Sequence, residues 1–151
     1  MLESQLFQWN SSREALRGLL DSHYKVSDLD LGLIDPFGEK ILQKRDVYEE
    51  LYSKNDSFFL NYDKNGLLIE FEVHNGYDII IQNDFKLSFG ENVPNLLRRL
   101  NKKGYDHFTL EKGSYLITEL KIVISDSESL GGEGDGLAYF YAAKNIEHLL
   151  H

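Results

Sequence analysis

The chain contains no cysteine. Thiol catalysis, disulfides and cysteine-ligated zinc or iron–sulfur centres are therefore excluded. Proline occurs only at Pro36 and Pro94, and there is no low-complexity tract. Positive charge is in deficit: 16 Lys and Arg face 25 Asp and Glu, a formal net charge of −9. A field of that sign repels phosphate backbones, so nucleic-acid binding is not expected. Long apolar runs are missing as well. Apolar stretches such as 79–81 are strand-sized and far short of the ~20 residues of a membrane span. The opening residues MLESQLFQWNSSRE carry neither a basic region nor the apolar stretch of roughly 7–15 residues found in a secretory signal. The expectation is a cytoplasmic protein of bacterial type with no membrane contact.

What is present is a folding composition. Of 151 residues, 42% are hydrophobic and 13% aromatic, with nine Phe and nine Tyr. Disordered chains are poor in aromatics, and this length suits a single domain, 1–151, that needs no metal or disulfide to hold it.

Ser11-Ser12-Arg13-Glu14 reads as a helix start, with Ser11 as cap and Glu14 reaching back, and Trp9 packed over the first turn. Leu16, Leu19 and Leu20 recur at helical spacing, and Arg13 and Arg17 fall on the other side. Residues 24–43 read as loop, and Asp46 to Tyr52 as a short helix. Alternation then predicts strands at 57–63, 67–74 and 77–82, joined by turns at Asp63-Lys64-Asn65-Gly66 and Asn75-Gly76. Asn92 caps a second helix with Pro94 in its first turn, and Val93, Leu96, Leu97 and Leu100 line its apolar face. Strands are expected near 105–111, 116–124 and 137–141, and a final amphipathic helix over 142–150. Each half, 8–89 and 90–151, reads as helix then antiparallel meander. Neither half buries its sheet face alone. The predicted fold is α+β: two helix-plus-antiparallel-meander repeats sharing one sheet, with the helices on one face.

Ser12-Arg13-Glu14, the pair Leu19-Leu20, the element Asn61-Tyr62-Asp63-Lys64-Asn65-Gly66-Leu67 and the Asn75-Gly76 turn together resemble the repeats of beta-lactamase-inhibitor-like and SmpA-like small proteins. Relatives of that type include immunity proteins of bacterial toxin systems. The resemblance implies a cytosolic protein binder. It assigns no functional residue to any position here.

Glu70, Glu72 and His74 alternate along one strand and so share a face, with neighbouring side chains roughly 6–7 Å apart. Two readings are open: an acidic docking row that steers a basic partner, or a metal-assisted acid–base row. The segment 125–136, SDSESLGGEGDG, brings together Asp126, Glu128, Glu133 and Asp135. Its order fails the EF-hand pattern and lacks a phosphate-cradle signature, leaving a mobile loop or a partner contact. Arg98, Arg99, Lys102 and Lys103 suit the C-terminal end of a helix. Tyr77 and Tyr139 belong to an aromatic excess that fits interface anchors. The five His are scattered with no ligand spacing, and no catalytic residue, metal or cofactor is predicted. The leading expectation is a non-catalytic protein-binding protein, an inhibitor or immunity protein that occludes a basic toxin domain through Glu70, Glu72, His74, Tyr77, Tyr139 and the acidic loop. The alternatives are a small metal-assisted hydrolase using Glu70, Glu72 and His74, or a structural module that self-associates through a sheet edge.

Overall fold

The computed structural model describes residues 2–3, 7–20, 24–49, 57–75, 78–81 and 85–150. In chain order its elements are β1 (Leu2–Glu3), α1 (Arg13–Leu19), β2 (Tyr24–Val26), β3 (Leu29–Ile34), β4 (Lys40–Glu49), β5 (Ser57–Tyr62), β6 (Leu68–Asn75), β7 (Asp78–Ile81), β8 (Phe85–Ser88), α2 (Val93–Lys102), β9 (Phe108–Glu111), β10 (Ser114–Ile117), β11 (Ile122–Asp126) and β12 (Leu137–Ala143). The fold is mixed α+β and mostly antiparallel. The larger sheet runs β2-β4-β5-β6-β12-β11-β10-β9, with β3 also on β4. A smaller sheet pairs β7 with β8 and, in parallel, with β1.

Strand alternation divides the large sheet into two faces. Phe58, Leu60, Tyr62, Phe71, Val73, Ile122, Ile124 and Phe140 point into the main core. There they meet Leu16 and Leu20 of α1, Val93, Leu96, Leu97 and Leu100 of α2, and Ile79, Ile81, Phe85 and Leu87 of the small sheet. Ser12, not Ser11, caps α1, its side chain accepting from the Ala15 N–H at 3.1 Å. Asn92 caps α2 through the Asn95 N–H as its sequence predicts. Leu19 is exposed, so the apolar stripe of α1 is narrower than its leucines suggest.

Arg13 and Arg17 do not face solvent. Both reach Asp46 on β4: Arg13 Nη2 donates to Oδ1 at 2.7 Å and Arg17 Nε to Oδ2 at 2.7 Å. Arg13 also donates to Asp28 and to the Arg45 carbonyl, each at 3.0 Å, and Arg17 stacks over Tyr24 at 4.0 Å. This clamp ties a helix of only seven residues to the sheet, at a length where propensity alone does not hold a helix.

Several expectations change. The segment 24–43 is not loop but β2, β3 and the start of β4. The expected helix at Asp46 is strand through Glu49, because Asp46 and Tyr48 both point inward against α1 and Phe58; its remainder, including Tyr52, lies outside the described residues. In β6 a bulge pairs Tyr62 with Leu68 but Asn61 with Glu70. The extra residue, Ile69, turns Leu68 inward instead of beside Glu70. The third strand of the expected meander, β7, leaves the large sheet, and the free edge of β6 pairs instead with β12, Phe140 opposite Val73. The expected strand 116–124 is a hairpin: a 3₁₀ turn at Thr118–Leu120 and Lys121 at φ +54° reverse the chain where no Gly or Asn marks a turn. The expected final helix is strand to Ala143 followed by a 3₁₀ turn at Glu147–Leu149.

Candidate functional site

The second face of the large sheet carries a polar network across four strands. Cross-strand register places Arg45 of β4 opposite Asn61 of β5, Asn61 opposite Glu70 of β6, and Glu72 of β6 opposite Tyr141 of β12. Asn61 sits at the centre and is 1% exposed. Its Oδ1 accepts from Arg45 Nε at 2.8 Å, and its Nδ2 donates to Glu70 Oε1 at 3.1 Å and Glu72 Oε2 at 3.3 Å. Arg45 Nη2 lies 3.5 Å from Glu72 Oε2. From the other side Tyr139 donates to Glu72 Oε1 at 2.6 Å, and the Tyr141 hydroxyl donates to Glu70 Oε2. The tyrosines lean diagonally along the strand, the reach that lets long side chains pair beyond their direct opposite. All four carboxylate oxygens are thereby engaged.

Burial raises the pKa of both phenols, and the adjoining glutamates, Glu72 for Tyr139 and Glu70 for Tyr141, raise it further. Both stay protonated donors through the neutral range. His74 packs edge-on to Phe59 at 4.7 Å and to Tyr139 at 5.2 Å. Burial lowers its pKa; Glu72 opposes that shift and Arg45 adds to it. The unfolded chain takes up a proton near pH 6.5 that the folded chain refuses. Stability is therefore expected to fall as pH drops from about 6.5 toward the lower folded value. Urea midpoints between pH 5 and 7 check this, with His74→Gln predicted to flatten the slope relative to the unmodified chain.

Two clefts flank this network. One, about 380 Å³, is walled by Leu110, Val123, Tyr139, Tyr141 and Leu149. The other, about 570 Å³, is lined by Gln43, Ile69, Lys144, Asn145 and Glu147. Glu70 and His148 line both and form the ridge between them. His148 Nε2 lies 3.3 Å from the Tyr141 hydroxyl. Each volume is in the range of small-molecule sites, yet both clefts are open to solvent along the sheet.

The predicted residues divide between two places. Glu70, Glu72, His74 and Tyr139 come together on this face. Asp126, Glu128, Glu133 and Asp135 belong to the β11–β12 loop, which is pinned rather than mobile. Ser127 N–H donates to the Gly136 carbonyl at 2.9 Å, Glu128 N–H to Gly134 at 3.0 Å and Gly132 N–H to Ser127 at 2.9 Å. Asp126 is buried: its Oδ1 accepts from the Ser129 N–H at 2.8 Å, and it packs on Gly113, where a Cβ would lie 2.4 Å from that oxygen. It is a structural residue, not a docking carboxylate. Asp135 accepts from Asn92 Nδ2 at 2.8 Å, and its carbonyl accepts from the Val93 N–H at 2.8 Å, capping α2. Glu128 and Glu133 are exposed. Among the described residues no cluster of three His, Asp or Glu is placed to hold a metal ion. On α2, Arg99 pairs with Glu91 and covers Phe85 at 4.6 Å. Tyr77 lies outside the described residues.

Comparison with family models, curated sequences and solved structures returns no match. The site therefore rests on its own geometry. Sequence reasoning missed Arg45, Asn61, Tyr141 and His148. Asn61 and Tyr141 were detectable, since alternation puts both on the face opposite the core residues Leu60 and Phe140. Arg45 falls between the segment 24–43 that reads as loop and the helix expected from Asp46, and His148 in a segment that reads as helix.

Proposed function

We propose that this chain is a non-catalytic protein-binding protein that docks a basic partner on the β4-β5-β6-β12 face. Glu70 and Glu72 supply the charge, and the half-buried His74 and Tyr139 the rigid aromatic contact area. The observation that carries this reading is the engagement of every oxygen of the two glutamates by Arg45, Asn61, Tyr139 and Tyr141. These hydrogen bonds hold both carboxylates in a fixed orientation, and among the described residues no three His, Asp or Glu converge on a metal position. A preset charged surface instead gains from not having to order itself on binding. With one arginine for two carboxylates, the patch keeps a net negative charge, consistent with the overall −9. In its most specific form the partner is the basic cleft of a bacterial toxin, and the chain is its immunity protein, in line with the family resemblance. Exposed Glu128 and Glu133 add acidic charge at the separate β11–β12 loop.

The test is retention of partners from the native cell extract on immobilised protein, eluted by a salt gradient. A basic protein released at high salt is expected, with Glu70→Gln plus Glu72→Gln weakening it by roughly tenfold or more through lost electrostatic attraction. An empty column, or a partner indifferent to that double substitution, contradicts the proposal. Stoichiometric zinc or manganese binding in a calorimeter would move the reading to the hydrolase.

A further inference from the structure

The smaller of the two clefts has a packed floor. Cross-strand register sets Leu116 of β10 opposite Val123 of β11, and Val123 opposite Tyr141 of β12. Ala143 and Ile146 join them in a second, smaller core on this face, and Tyr139 and Leu149 pack against it. Val123 and Tyr141 are buried, so packing holds both in place. The 3₁₀ turn at Glu147–Leu149 supplies His148 and Leu149 to the lining. Leu110, on the edge strand β9, forms the outer wall. Thr109 pairs with Tyr115 and Glu111 with Ser114, which makes Leu110 the extra residue of a bulge. A bulge re-aims a side chain, and this one contributes to the cleft.

Glu70 is the carboxylate of this lining. It comes from β6, three strands beyond β10 and four beyond Leu110 on β9, so the cleft runs from an apolar edge to an acidic end. The donors to Glu70 are neutral: Asn61 Nδ2 at 3.1 Å and the Tyr141 hydroxyl. Arg45 is engaged elsewhere, with Asn61 at 2.8 Å and Glu72 at 3.5 Å. Lys144 of the neighbouring cleft donates to Asn10 Oδ1 at 2.9 Å. Among the described residues no Lys or Arg pairs with Glu70. An ionised carboxylate offers about four lone-pair sites, so Glu70 can still accept. A half-buried carboxylate held by neutral donors alone is completed best by a cation.

We infer that this cleft receives one lysine side chain of the docked basic partner, with its ammonium on Glu70 and its stem along Val123, Leu149 and Leu110. The inference takes the lysine's carrier from the docking reading; the site itself stands on its own geometry. Chemistry selects the occupant. A bare cation gains nothing from the apolar walls, and an apolar side chain leaves Glu70 without a charge partner. A lysine answers both, because its stem lies on apolar surface while its head stays with a polar group. Arginine fits less well. A guanidinium pairs best through both carboxylate oxygens at once, and here each already accepts a bond. A compact ammonium needs one remaining lone pair. The cleft, about 380 Å³, has room for such a stem, and its opening along the sheet leaves the far end of the side chain with the partner.

The probe is a blocked Gly-Lys-Gly tripeptide titrated into the ¹⁵N-labelled full chain and followed by NMR. The amides of Val123, Tyr141 and Leu149 are expected to shift, with a dissociation constant on the order of 1 mM for one ion pair and one stem. The same peptide with norleucine keeps the stem, lacks the ammonium and should bind roughly tenfold more weakly. The arginine peptide should bind no more tightly than lysine. Glu70→Gln should bring lysine down to the norleucine level. Glu72→Gln, outside the lining, should change it by less than about twofold. Leu110→Ala, at an exposed edge where the fold tolerates it, should weaken lysine and norleucine alike by roughly threefold. Absence of shifts at these amides, equal binding of norleucine, tighter binding of arginine, or equal sensitivity to the two glutamine substitutions would each overturn the inference. A basic partner held on the column through Glu70 and Glu72, beside a lysine peptide that does not enter the cleft, overturns this inference alone. An empty column beside a lysine peptide bound at Glu70 supports the site and overturns the docking reading alone.

Discussion

Replacing Asp46 with alanine is expected to lower the unfolding free energy by about 3 kcal/mol or more, within the range for breaking a buried ion pair by removing one partner. The Asp46 carboxylate is 0% exposed and accepts from both Arg13 and Arg17, whose side chains are themselves mostly covered. Removing it leaves the Arg13 guanidinium over Tyr62 and that of Arg17 over Tyr24, with Asp28 and the Arg45 carbonyl left for Arg13 and the exposed Glu14 for Arg17. Because the arginines are partly exposed, some rehydration offsets the loss, so the lower part of the range is expected. Asp46→Asn keeps the shape, loses the charge, and should cost less. Replacing Asp46, Arg13 and Arg17 together by leucine should recover much of the deficit, since an apolar triad often replaces a buried ionic one at little cost. Urea denaturation of the three variants separates these outcomes. A loss below about 1 kcal/mol in Asp46→Ala would make the clamp an ordinary surface pair. The clamp also sets acid behaviour. Burial pushes the Asp46 carboxyl up, but hydrogen bonds from Arg17 and Arg13 outweigh it and hold it below the ordinary carboxylate range. Its contribution is present above about pH 4 and is lost as pH falls through the folded pKa.

Asn61→Asp is expected to cost about 2–4 kcal/mol near neutral pH and to regain part of it on acidification. The substitution changes no volume. It replaces the Nδ2 that donates at 3.1 and 3.3 Å to Glu70 and Glu72 with an oxygen, setting three carboxylates together on a face that is 1% exposed at its centre. Arg45 offsets part of the repulsion, because its Nε already points at this side chain from 2.8 Å. One carboxyl in the group must then take up a proton well above its ordinary range. Stability should therefore rise between pH 7 and pH 5, where the histidine-driven trend of the unmodified chain runs downward. That opposed slope distinguishes electrostatic conflict from simple loss of packing. Equal stability of the two proteins at pH 7 would remove Asn61 from the centre of the network, and with it the argument that the glutamates are preset.

The sequence was legible where a local rule had no competitor. Asn92 and Pro94 set the start of α2, and its four apolar positions are buried. The turn at Asp63–Gly66 and the alternation after it set β5 and β6 as a hairpin, with Asp63 Oδ1 accepting from the N–H groups of Asn65 and Leu67. Alternation also put Glu70, Glu72 and His74 on one face. It failed at the bulge, where one added residue inverts the pattern, and at Lys121, where a non-glycine residue takes a positive φ that no composition rule announces.

What the sequence by itself determined is chemistry and local form: the absence of thiol chemistry, the negative field, two capped helices, the strand-rich pattern and the acidic row. Only the tertiary structure decided partnership. β7 and β12 are both apolar strands able to fill the edge of β6, and pairing energy per residue does not tell them apart. The choice fell to packing, since β12 brings Phe140 onto Phe71 at 5.8 Å and Tyr139 and Tyr141 onto the two glutamates. Asp46 became a core residue for the same reason, because a helix thirty residues upstream supplied two arginines that no reading of its neighbours contains. Long-range contacts cost chain entropy that local signals do not encode, so the site that local alternation began was completed by strands from the far end of the chain.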